Sequence, residues 1–197
     1  MKHGLLIICS WLLFISVCYA QTDTTKHEFY FKQFNWHVTI PREFRSLTQE
    51  ELIKVQETGR VAMEKTTNQT IVNNSTPIFS FKSDQLHFFM SNYQPFDTAV
   101  DGDYNSVCKQ VDDIVYNTLS QQLPQGTRID STLTTETIGK LTFRCIKLIA
   151  TLPNKVKINL LMYNRLFDKV ELTVSIMYVD EDKGTQLLNA WRNSKFD

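Results

Sequence analysis

Two rhythms of apolar and polar residues run along this chain. From Thr127 onward the period is two: Ile129, Ser131 and Leu133 begin a strand that ends near Ile138, and Gly139-Lys140 forms its turn. Leu141, Phe143 and Cys145 then alternate with Thr142, Arg144 and Ile146 up to Leu152, and Pro153-Asn154-Lys155 turns into Val156, Ile158, Leu160 and Met162. Phe167-Asp168-Lys169 leads to a last run, Val170, Leu172, Val174, Ile176 and Tyr178. Polar turns this short leave room only for antiparallel neighbours, so the runs predict a meander. Both parities carry apolar residues in places (Ile146 and Leu148, Leu161 and Tyr163, Met177 and Val179). A sheet covered by helices on both faces accounts for that better than a sheet with one face in water.

Elsewhere the period is that of a helix. Thr48-Gln49-Glu50-Glu51 is a capping box, and Leu52, Val55, Gly59, Ala62 and Met63 fall on one face of the helix it starts. Val107, Val111, Ile114, Val115, Thr118 and Leu119 form a second apolar face, with Asp103 or Asn105 as its cap and Pro124-Gln125-Gly126 as its end. Asp180 caps a third helix whose inner stripe is Gly184, Leu187, Leu188 and Trp191. Two short strands over Glu28–Pro41 open the domain, and another pair, Ile78–Phe81 and Leu86–Tyr93, follows the polar loop 67–77. The predicted order is ββαββαββββα, an α+β fold in which an antiparallel sheet is flanked by helices on both faces. Residues 28–197 form a single domain behind a polar leader, 21–27.

The first twenty residues differ from all of this. Lys2 and His3 precede the apolar run Leu5–Val17, and Cys18-Tyr19-Ala20 places small residues where a signal peptidase would cut, between Ala20 and Gln21. The run is shorter than the roughly 20 residues needed to span a bilayer. The expectation is export, to the periplasm or beyond, with lipidation at Cys18 and an uncleaved anchor as alternatives. No later segment approaches spanning length.

Composition narrows the partners. Lys and Arg number 21 and so do Asp and Glu. That balance leaves no surplus cation to displace counterions from nucleic acid. With 42% hydrophobic residues the chain has the material for one real core, and four Cys exclude a disulfide-dense scaffold.

The opening aromatic pair closed by Pro (FNWHVTIP), the Thr-rich meander RIDSTLTTETIGKLTFRCIKLIATL and the closing strand-and-helix VSIMYVDEDKGTQLLNAWRNSKF together resemble the PsbP-like fold. That fold is shared by the extrinsic photosystem II subunit PsbP, a Ran-binding import factor and many exported bacterial proteins. The resemblance implies an antiparallel sheet sandwiched by helices and a non-catalytic binding or assembly module. It transfers no catalytic residue.

Candidate chemistry is sparse. His27, His37 and His87 have no i, i+4 partner and neither Cys108 nor Cys145 belongs to a C-x-x-C, so no zinc site and no cofactor is expected. Asp101-Gly102-Asp103-Tyr104-Asn105 has oxygens at alternate positions, as calcium requires, but Ser106 stands where Gly belongs and Asp112 is expected to point outward from the helix. Capping explains those residues instead. No G-x-S-x-G or phosphate-cradling glycine run occurs, and no catalytic residue is nominated. Cys108 and Cys145 read either as packed thiols or, in an oxidising compartment, as a helix-to-sheet disulfide. Phe88, Phe89, Tyr93 and Phe96, in the densest aromatic cluster, read either as core or as a partner surface. The functional expectation is an exported binding module with an envelope protein as partner. The alternatives are a small-ligand carrier and a hydrolase whose site is assembled from distant residues.

Overall fold

A computed structural model describes residues 26–197; the apolar run, Cys18 and the Ala20–Gln21 junction lie outside the described residues. In chain order the elements are β1 (Lys26–Phe31), β2 (Trp36–Pro41), β3 (Arg45–Ser46), α1 (Gln49–Thr67), β4 (Thr76–Lys82), β5 (Phe88–Pro95), α2 (Thr98–Asp101) and α3 (Tyr104–Gln122). Then come β6 (Arg128–Ile138), β7 (Leu141–Thr151), β8 (Lys157–Phe167), β9 (Val170–Tyr178), α4 (Glu181–Arg192) and β10 (Lys195–Phe196). Lys26 and His27, placed by composition in the leader, instead start β1 opposite Pro41 and Ile40. The other unexpected elements, β3, α2 and β10, are two to four residues long, too short to show a period.

Seven strands make one sheet in the order β3-β4-β5-β9-β8-β7-β6, and the predicted meander supplies four of them. All pairings are antiparallel. The β6–β7 hairpin closes through Gly139 and Lys140, both at positive φ (51° and 69°), the backbone a tight turn with right-handed strand twist requires. A side chain at Gly139 would also stand 2.9 Å from the Ser194 carbonyl oxygen.

The sheet is covered on both faces, as the mixed parity implies, but the covers differ. One face carries α1 and α3. The other carries α4 together with a second, three-stranded sheet, β1-β2-β10, in place of an all-helical layer. The alternation of β2 explains this: Trp36, Val38 and Ile40 are buried and His37 and Thr39 look outward, so the strand pair is itself a half-buried cover. Trp36 and Trp191 are both fully buried at the centre of this face, edge to face at 5.8 Å. Phe143 and Tyr163 meet Trp191 at 5.0 and 5.3 Å, and Phe196 stacks on Trp36 at 5.8 Å. Helix α4 lies so close to β9 that a Cβ at Gly184 would run into the ring of Tyr178.

The helical face is built otherwise. Val115, Ile146 and Leu148 form a small core there, with Met63, Leu119 and Met162 half-buried around it. No residue of α1 is fully buried, and its Val55 and Val61 are more than 40% exposed. What holds α1 in place is largely at its start. Thr48 Oγ1 accepts from the Glu51 N–H, Glu51 accepts from the Thr48 N–H in return, and both Arg45 and Lys82 bond to the Glu51 carboxylate.

Candidate functional site

Helices α1 and α3 lie over the sheet and enclose with it a cleft of about 420 Å3. That lies within the roughly 300–1,000 Å3 typical of small-molecule sites. Leu52, Val55 and Met63 of α1 and Val107 and Val111 of α3 give it apolar walls. Its floor is the sheet, where Asn92 and Gln94 of β5, Asn164 of β8 and Glu171 and Thr173 of β9 converge. The register places them side by side: Gln94 faces Glu171, Asn92 faces Thr173 and Asn164 faces Thr173.

Glu171 is the hub of this floor and only 7% exposed. Its Oε2 accepts from Gln94 Nε2 at 2.7 Å, and its Oε1 accepts from Tyr104 Oη at 3.0 Å and Asn164 Nδ2 at 3.2 Å. Asn164 also donates to Thr173 Oγ1. The Cys108 thiol adds a long contact to Oε1 at 3.9 Å. Burial, with the Glu171 charge second, pushes the Tyr104 hydroxyl far above its ordinary value, so it serves as a donor and not as a base. Burial likewise raises the Cys108 thiol, which removes the thiolate a nucleophile needs. Beside them Asp112 and Arg144 form a bidentate pair, with side chains 10% and 13% exposed.

Asp112 therefore does not point outward, as expected from sequence. The stripe of α3 that meets the sheet passes through Cys108, Asp112, Val115 and Thr118, one position round from the apolar face of the pattern. Val107 and Val111, members of that apolar face, turn to the cleft, and Val111 stays 41% exposed. Cys108 and Cys145 are both buried free thiols. A bridge between them is excluded by parity, since Cys145 belongs to the aromatic face and Cys108 lies on the helical one. Burial holds Cys145 up at about 11.

The aromatic cluster is core. Phe89 and Phe96 are 0% and 4% exposed, and Tyr93 packs against Phe31 and Phe34 at 5.7 and 6.2 Å. Phe88 is half-buried, so the four do not make a partner surface. Asp103 caps α3 by accepting from the Ser106 N–H, and Asp101 accepts from the Asp97 N–H. His87 is buried with Nδ1 2.7 Å from an Asp84 oxygen, a pairing that looks catalytic until its other nitrogen is followed. Nε2 accepts from the Asp180 N–H at the start of α4, so the ring ties β5 to α4 and has no free nitrogen for chemistry. Among the described residues no three His, Cys, Asp or Glu are grouped for a metal ion, and no helix is long and apolar enough to cross a membrane.

Sequence reasoning missed Gln94, Asn164 and Glu171 altogether and met Tyr104 only as a member of the 101–105 loop. A signal was present in the strands that both faces cover. The helix-facing parity runs Phe88, Met90, Asn92, Gln94 on β5 and Leu160, Met162, Asn164 on β8, and on β9 it ends in Thr173 and Glu171. Each changes from apolar to polar toward the same end of the sheet, which marks a covered but polar patch.

With the architecture in view, a solved structure can be set beside it. The solution structure of cyanobacterial PsbP from Synechocystis sp. PCC 6803 matches with a TM-score of 0.56, covering 93% of this chain and 99% of that one at 6% identity. The fold class is thereby defined: this is an α+β protein of PsbP-like fold. No family model matches the sequence, and neither does any curated protein. At that identity the likeness is one of architecture, and the cleft residues stand on their own geometry.

Proposed function

We propose that this protein is an exported, non-catalytic binding module that takes a small amphipathic molecule into the cleft under α1 and α3. One observation carries the reading: an apolar-walled cavity of about 420 Å3 over a floor of convergent hydrogen-bonding side chains. Gly59 adds to it. In mid-helix a glycine costs about 1 kcal/mol relative to alanine. Here it cannot be excused by crowding, because a Cβ would meet nothing within 4 Å. It faces the cleft and leaves room there.

Binding without catalysis is supported by the chemistry of the floor, where Tyr104 and Cys108 are both held in their protonated forms. Export is supported by the Leu5–Val17 run and the small residues up to Ala20. A second reading, assembly with an envelope protein, is favoured by β6. It ends the sheet order over 11 residues and so offers one backbone edge with no strand beside it among the described residues.

Native mass spectrometry of gently purified protein separates the two. A small mass increment that disappears in Gly59→Leu, whose side chain projects into the cleft, is the expected result. A stoichiometric protein partner that survives Gly59→Leu, with nothing small bound, overturns the cleft reading in favour of assembly at β6.

A further inference from the structure

The geometry points to an organic cation as the cleft's ligand: an ammonium or guanidinium head seated against Glu171, with an apolar body between the helices. This rests on the cleft being the binding site and concerns what that site selects.

The argument is one of charge matching. Both oxygens of Glu171 are placed to accept hydrogen bonds, as the two oxygens of a carboxylate do. Every one of those donors is neutral: an amide of Gln94, the hydroxyl of Tyr104 and an amide of Asn164. Hydrogen bonds from neutral groups orient a buried carboxylate but leave its charge uncompensated, and buried charges are ordinarily paired. The cations around the cleft are already engaged. Arg144 is held by Asp112, and Arg60 at the mouth is held by Glu57 and Glu64. Among the charged groups of the site (Glu171, Asp112, Arg144, Arg60) Glu171 alone has no counter-charge within ion-pair distance among the described residues.

The rest of the cleft fits the same molecule. A carboxylate has about four acceptor sites, and three are used at hydrogen-bond distance, so Oε2 can still receive a donor. Leu52, Val55, Met63 and Val111 on the helices above it, and Met90 and Met162 beside it on the sheet, offer only apolar contact. An anionic head would meet Glu171 with no free cation among the described lining residues to offset the repulsion. A neutral head could bond there but would leave the carboxylate's charge where it is.

The test titrates the isotope-labelled whole chain with hexylammonium and with its neutral and anionic counterparts, hexanol and hexanoate, following the side-chain amide signals of Gln94 and Asn164 by NMR. Saturable shifts from hexylammonium and none from hexanoate are expected. Glu171→Gln should weaken the hexylammonium response by about thirtyfold or more, and Gly59→Leu should abolish it. Hexanol binding as tightly as hexylammonium overturns the charge assignment and leaves the cleft as the binding site. Silence from all three probes removes both. The probe series uses unmutated protein, so it discriminates among the three heads even where Glu171→Gln does not fold.

Discussion

The two faces of the seven-stranded sheet are built on opposite principles. On the face under β1, β2, β10 and α4, two fully buried tryptophans are ringed by Phe89, Phe143, Tyr163 and Phe196, and backbone and ring approach so closely that Gly184 has no room for a methyl. On the face under α1 and α3, three buried apolar residues suffice for a core, a helix of 19 residues buries none of its own, and the sheet beneath turns polar. Apolar burial is the main stabilising term in a fold of this size, so stability is concentrated where the rings are. The opposite face is then free to hold a cavity, a buried carboxylate and an ion pair, none of which a close-packed core tolerates well. A sheet with one closely packed face can leave the other incomplete.

If that division holds, the largest loss of stability comes from the ring-packed face. Trp191→Ala empties the space between Trp36, Phe143 and Tyr163 and should cost about 4 kcal/mol, measured by urea unfolding. Next comes Arg144→Ala, which leaves Asp112 buried without its partner and should cost about 3 kcal/mol. Replacing both by Met and Leu should recover most of that loss, because apolar residues of similar volume do as well as a buried pair. Comparable losses for Trp191→Ala and for Val55→Ala, on the open helix, would erase the distinction between the faces.

The same division explains what was legible in the sequence. The meander, the capping box at Thr48, the caps at Asp103 and Asp180 and the stripe through Gly184 and Trp191 all follow from period and turn chemistry, and the structure contains them. Aromatic packing was legible as composition but not as location, because burial at Phe89 depends on a second sheet and Phe96 packs on Tyr104 of α3, and local pattern gives the position of neither. The cleft was not legible as a site. Its members come from β5, α3, β8 and β9, brought together by strand register and by the angle at which α3 crosses the sheet. Asp112 shows the limit most clearly, since a rotation of one position turns a solvent residue into a buried ion pair.

Gly59→Leu sharpens the comparison from the other side. On the ring-packed face a methyl at Gly184 collides with Tyr178, whereas at Gly59 it meets open space. Gly184→Ala should therefore destabilise, and Gly59→Leu should raise stability by about 0.5–1 kcal/mol from helix propensity alone. Thermal melts of the two variants should move in opposite directions.

The smallest effect expected is acid loosening confined to the open face. Bonds from Arg45 and then from Lys82 and the Thr48 N–H hold the Glu51 carboxyl well below its ordinary value of 4.5. A carboxyl depressed in the folded state stabilises fully above its unfolded value, and that contribution fades as pH falls through the folded one. In the window below about 4.5 the unfolded helix start binds its proton first, so α1 should open more readily as pH drops. No carboxyl lies among the rings packed on Trp191, the nearest being Glu136 where it accepts from the Tyr163 hydroxyl, so the stretch of β8 under Trp191 should keep its protection. Hydrogen exchange at pH 7 and at pH 3 would read both at once, and Glu51→Gln should show the α1 change already at neutral pH. Equal loss of protection on α1 and β8 would mean that the two faces unfold as one unit, and that the open face has no independent give with which to admit a ligand.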